Sequence, residues 1–227
     1  MNSTIARILA VLALAALALA MPARAKSVLD VTNPEPGVHV MGGDNTVLTL
    51  TEYVSYTCPH CYQFEKDGGD RLRVFYVGSG KVKLEVRHVV RDPFDLVAAM
   101  LTNCGPAGRF DRNHAMFMRE QPVWLGKLRS ATQAQINRYS SGPYAQRRQA
   151  IARDAGFYPM MQRRGYEPVE VDRCLADEGM AKALAEKARG YVQNGGIQGT
   201  PSFAIDGVVL AGTSDWEMLK AQLDLHL

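Results

Sequence analysis

Val47-Leu48-Thr49-Leu50-Thr51-Glu52-Tyr53-Val54-Ser55-Tyr56-Thr57-Cys58-Pro59-His60-Cys61-Tyr62 carries the chain from one kind of local structure into another. Val47 to Tyr56 is rich in β-branched and aromatic residues and reads as a strand. Tyr62 to Val77 holds Phe64, Leu72, Phe75 and Tyr76 and has helical character, so the two cysteines lie at the handover. Unpaired backbone N–H groups and the positive end of the helix dipole stabilise a thiolate there. Cys58 is therefore expected to be the exposed, attacking sulfur, and Cys61, one turn into the helix, the more buried, resolving one. Pro59 suits the first helical turn because its missing N–H would be unpaired anyway. His60 adds a donor and, when protonated, a positive charge. Each unit by which the Cys58 pKa falls favours the reduced form by about 1.4 kcal/mol, or ~30 mV, so a His between the cysteines points to an oxidant. A zinc site would want four ligands, and no second Cys/His pair has matching spacing, so neither metal nor cofactor is expected.

Working outward, Glu52 lies on the strand six residues before Cys58. It is either a buried acid–base group for the proton of Cys61 or an exposed strand carboxylate. Gly68-Gly69 in the following helix predicts a kink or break. Lys81 to Val90 alternates like a strand, with Val82, Leu84, Val86 and His88 on one side. A Pro/Gly-containing lead-in from Asn33 to Gly43 precedes the first strand. From Pro93 to about Tyr191 the pattern is helical, in Phe94–Leu101, His114–Arg119, Tyr144–Ala155 and Val171–Val192. Asp206-Gly207 between Ser202–Ile205 and Val208–Leu210 is a hairpin signal of type I′. A last helix is expected from Ser214, which has capping-box spacing to Glu217. Thr200-Pro201 puts a proline at the entry to a strand, where a cis bond would leave backbone free to pair with an extended substrate chain. The order predicts one α/β domain, residues 26–92 and 192–227, interrupted by an all-helical insertion domain, residues 93–191.

The first 25 residues have a basic Arg7, an apolar run from Ile8 to Ala20 and Ala23-Arg24-Ala25, which reads as a cleaved signal peptide. The apolar run is short of the ~20 residues needed to span a bilayer. Without this segment, 24 basic residues face 23 acidic ones, a balance that gives no case for nucleic acid as a partner. Export places the four cysteines in an oxidising compartment, where they can make two disulfides.

Cys58-Pro59-His60-Cys61 with Gly199-Thr200-Pro201 far downstream resembles the DsbA family, over essentially the whole chain after residue 25. The resemblance implies a thioredoxin fold, a central mixed β-sheet flanked by helices, with a helical insertion. It implies a cis Pro201 facing Cys58 and Cys61, and aligns Glu52 with the buried acid of that fold. The implied reaction is a periplasmic one, passing the Cys58–Cys61 disulfide to reduced, unfolded exported proteins. A DsbB-like, quinone-linked membrane oxidase would reset the enzyme, and a monomer is expected. Thr200 stands where Val is usual in the family and matches disulfide isomerases such as DsbC. Cys104 and Cys174 resemble a second pair found in alphaproteobacterial DsbA-like proteins and are expected to form a structural disulfide. The competing readings are a disulfide isomerase or reductase, a copper or zinc carrier using Cys58, His60 and Cys61, and a holding chaperone whose thiols are incidental.

Overall fold

The computed structural model describes residues 29–227. The expected signal peptide, residues 1–25, lies outside the described residues. A six-stranded mixed sheet has the order β1-β2-β4-β3-β5-β6. At its centre β3 (Leu48–Val54) is buried along almost its whole length. It pairs parallel with β4 (Val82–His88) and antiparallel with β5 (Ser202–Ile205). A strand buried on both faces needs the near-continuous apolar and β-branched run seen there.

The lead-in expected before β3 is not a loop. It forms a hairpin of β1 (Val31–Glu35) and β2 (Val38–Met41), and β2 pairs antiparallel with β4. Gly37 makes the turn with φ of +76°, and Pro34 is tolerated because β1 lies at the sheet's edge. On the opposite edge, β6 (Val208–Val209) follows β5 through Asp206 and Gly207, both at positive φ (48° and 84°), as a type I′ turn requires.

Helix α1 (Pro59–Phe64) leaves β3 through the Ser55–Thr57 turn and widens into π-helical turns at Glu65–Gly69 and Leu72–Val77. The helix therefore neither breaks nor ends at Gly68-Gly69. A Cβ on Gly68 would overlap the indole of Trp216, and one on Gly69 the Glu65 carboxylate, so the glycines admit both groups against the widened turns.

Eight helices separate β4 from β5: α2 (Pro93–Thr102), α3 (Phe110–Arg119), α4 (Gln121–Arg129), α5 (Gln133–Ser140), α6 (Tyr144–Ala155), α7 (Phe157–Arg163), α8 (Pro168–Leu175) and α9 (Glu178–Gln193). The single helix expected over Val171–Val192 is two, because Asp177 stops one and caps the next by accepting from Met180 N–H at 2.8 Å. The last helix, α10 (Trp216–His226), is capped by Asp215, which accepts from Met218 N–H at 2.9 Å. The Ser214 cap is thus off by one residue, since burial of Trp216 against Phe64 fixes where the first turn begins. One apolar cluster runs from the sheet (Leu50, Leu84, Phe203) into the helices (Leu101, Trp124, Phe157). Cys104, just after α2, and Cys174, in α8, are joined by a disulfide with their Cα atoms 5.7 Å apart.

Candidate active site

Cys58 is the N-cap of α1, with no side-chain cap, and Pro59 opens the helix. The first-turn N–H groups are therefore available to the Cys58 sulfur. Both cysteines are free thiols. The Cys58 thiol is lowered to about 5. The largest cause is a hydrogen bond from the Cys61 side chain. Burial opposes it, and the backbone N–H groups of Cys61 and His60 add to it. Cys61 goes the other way: burial pushes it well above the ordinary thiol range, and the Cys58 and Glu52 charges reinforce this.

One expectation needs correcting. Cys58 is not exposed; only 3 % of it reaches solvent, because the chain around the cis Thr200–Pro201 bond lies over it and its Sγ donates to the Thr200 carbonyl at 3.0 Å. His60 is exposed, and its backbone N–H is one of the groups that lower the Cys58 thiol.

Glu52 is buried in the middle of β3, opposite Phe203 of β5. Burial first, then the Glu65 charge, raises its carboxyl to about 8, with Arg73 opposing. It can therefore hold a proton at neutral pH, near enough to Cys61 for its charge, when ionised, to raise that thiol. Thr200 and Pro201 also line a cleft of about 380 Å³ bounded by Gly196, Gln198 to Ser202 and Val209 to Ser214. Cys104 and Cys174 lie elsewhere, bonded to each other between α2 and α8.

Several residues at the site had no sequence signal. Gln121, on α4, donates its Nε2 to the carbonyls of Tyr56 and Cys58, 2.8 Å each, and so pins the turn before α1. Ser55 N–H points at the Cys61 sulfur at 3.5 Å, and Ser55 Oγ donates to buried Asp95 at 2.6 Å. Glu65 accepts from Arg73 of the π-helical segment and Arg119 of α3. Asp95 alone had a readable feature, an acid in the first turn after Asp92-Pro93, which by itself signals only a helix start.

A family model described as thioredoxin matches residues 34–225. A solved structure of a protein-disulfide isomerase from Novosphingobium aromaticivorans is 44% identical, covers 84% of this chain and 97% of its own, and superposes with a TM-score of 0.79. The structure of alpha-DsbA1 from Wolbachia pipientis shares the fold with a TM-score of 0.67, at 18% identity and with 85% and 92% of the two chains covered. Curated proteins of Rickettsia bellii and Rickettsia typhi with provisional protein-disulfide oxidoreductase names are each 25% identical over 74% of this chain. The chain covers 57% and 54% of them, so it spans about half the length of the curated relatives it matches. The family match takes in the strands on both sides of the helical run as well as the helices, so the whole of residues 34–225, not just the turn around Cys58, belongs to the thioredoxin family.

Proposed function

We propose that the chain is an exported protein thiol:disulfide oxidoreductase that donates the Cys58–Cys61 disulfide to reduced, unfolded proteins in the periplasm. The observation that carries this reading is the asymmetry of the pair, with Cys58 lowered to about 5 and Cys61 pushed far up. A stable Cys58 thiolate favours the reduced enzyme and so makes its disulfide a strong oxidant.

A client thiolate attacks Cys58, Cys61 leaves, and Glu52 supplies the proton that the leaving sulfur takes up. A second client thiolate then attacks the client sulfur of the mixed disulfide and releases Cys58. The backbone at Thr200 and Pro201 holds the client extended beside the pair. In this reading residues 1–25 are a cleaved signal peptide, residues 93–191 are an insertion domain, and the Cys104–Cys174 bridge is structural. The enzyme acts as a monomer reset by a DsbB-like, quinone-linked membrane partner. Among the described residues no helix is long and apolar enough to cross a membrane.

Equilibration of the pair with glutathione tests the proposal. A potential near about −120 mV supports a disulfide donor, and one near about −270 mV sinks it. Isomerase action is a second reading, favoured by Thr200 before the proline and by the similarity to a protein titled a protein-disulfide isomerase. It predicts an intermediate potential, about −180 mV, and reactivation of a scrambled disulfide protein by the reduced form.

A further inference from the structure

Asp95 is a buried acid that the exchange chemistry above leaves without a task. It is 1 % exposed, in the first turn of α2, and two other segments converge on it. Its Oδ2 accepts from the Ser55 hydroxyl at 2.6 Å and from Arg91 N–H at 3.1 Å, and its Oδ1 from Tyr56 N–H at 2.7 Å. Ser55 is also the residue whose N–H reaches the Cys61 sulfur. Arg91 clamps the same turn from outside, donating Nε to Ser55 Oγ at 3.0 Å and Nη2 to Thr57 Oγ1 at 3.3 Å. Helix α1 has no side-chain cap of its own, so this network is part of what sets the turn on which the pair sits.

We propose that Asp95 is a positioning residue which, through Ser55, aims a backbone N–H at the sulfur of Cys61 as that sulfur leaves. The assignment rests on the thiol–disulfide exchange reading. In the first step the client thiolate forms a bond to Cys58 Sγ. The Cys58–Cys61 bond breaks and its electron pair passes to Cys61 Sγ. A donor already aimed at that sulfur stabilises charge where it develops. Cys61 itself faces Cys58 and Glu52, and Asp95 faces Asp92 and Arg91 beside it and Tyr56 across the turn. Arg148 of α6 lines the same cleft as Arg91 and Asp92 and is paired with Glu178 of α9. Burial raises the Asp95 carboxyl to about 7, while Ser55, Tyr56 and Arg91 pull it down, so three donors depend on this one group.

Asp95→Asn keeps the shape but puts an NH₂ where an oxygen accepted, so at least one of the three donors loses its partner. Ser55→Ala cuts the link and keeps the N–H. The probe is a single-cysteine peptide mixed rapidly with the oxidised full chain, the mixed disulfide being trapped in acid and weighed. Asp95→Asn should slow its formation about tenfold and Ser55→Ala about threefold, with the pH midpoint of Cys58 thiolate absorbance unmoved. Rates within about twofold of the native chain in Ser55→Ala would overturn the role, and that variant alone decides if Asp95→Asn does not fold. A Cys58 midpoint that moves along with the rate would equally overturn it, since the whole turn would then have shifted. A native chain that forms no mixed disulfide sinks the exchange reading as well; one that reacts no faster than Ser55→Ala sinks only this assignment.

Discussion

Cys58 and Cys61 have the same side chain, and what separates them is which groups each sulfur meets. Cys58 gathers donors from Cys61 and the start of α1, whereas Cys61 is walled in and faces Cys58 and Glu52. The Cys58 pKa is depressed in the folded, reduced protein. Its contribution to stability is therefore fully present above the unfolded thiol value of about 8.5 and is lost as pH falls through about 5. The oxidised protein has no such group. Thiolate absorbance at 240 nm should appear with a midpoint near pH 5 and vanish in Cys58→Ser. On the same ground the reduced form should gain on the oxidised form in denaturant titrations as pH rises from 5 to 8. A midpoint at an ordinary thiol value would show that the donors do not hold the sulfur down. The positions of Cys58, Pro59, Cys61 and Glu52 were legible because one strand-to-helix junction carries all four. Gln121 and Asp95 were not, since their partners lie 65 and 40 residues away in sequence and only the fold brings them together.

Among the elements, the active-site helix departs furthest from what its sequence suggests. A glycine pair in a helix ordinarily weakens it, and here the helix continues by widening into π turns. The reason is packing: Trp216 lies against Gly68, while Glu65, 3 % exposed, turns its carboxylate over Gly69 toward Arg73 and Arg119. Gly68→Ala would gain helix propensity of about 1 kcal/mol and lose the space the indole occupies, an overpacking cost of about 1–3 kcal/mol. The clash is with a rigid ring anchored in the core, so the second effect should win. Urea unfolding should show a net loss of up to about 2 kcal/mol, and a stabilised variant would mean that Trp216 moves freely. The β1–β2 hairpin escaped the sequence reading for a related reason. Asn33, Pro34, Pro36 and Gly37 are turn formers by composition, and only pairing with β4, more than forty residues on, makes strands of their neighbours. The other strands were legible because β3 carries a β-branched and aromatic run, β4 a strict alternation, and β5 and β6 flank the Asp206-Gly207 turn signal.

At the scale of the whole molecule, one device closes the helical run on itself and another ties it to the sheet, and each makes a prediction. The Cys104–Cys174 bond closes a loop of 70 residues, and by chain entropy its removal in a Cys104→Ala, Cys174→Ala double variant should cost about 4 kcal/mol. An unchanged unfolding midpoint would point away from a structural bridge. The other device is a buried cluster of three histidines, His39 of β2, His88 of β4 and His114 of α3. Asn103, at the end of α2, accepts from His39 Nε2 at 2.7 Å and donates to His88 Nε2 at 3.1 Å, while Tyr56 and His114 Nδ1 are 2.8 Å apart. Burial lowers His39 and His114 to about 4 and His88 well below the ordinary value. Their stability is present above the unfolded value of 6.5 and lost as pH falls through about 4. Glu52 and Asp95, raised to about 8 and 7, act in the opposite sense: their contribution is full at acid pH and lost as pH rises through those values. Each group changes stability by at most about 1.4 kcal/mol per pH unit. Between about pH 4 and 6.5 the three histidines make stability rise with pH against Glu52, Asp95 and Asp111, which burial also raises, and above about pH 7 only the acids still change, so the oxidised protein should lose stability from about pH 7 to 8. His88→Gln keeps an acceptor for Asn103 and removes one of the three histidines. Its stability should then rise with pH less than the native chain's across that acid window in denaturant titrations, by at most about 1.4 kcal/mol per pH unit, whereas a slope equal to the native one would mean that His88 does not titrate on unfolding.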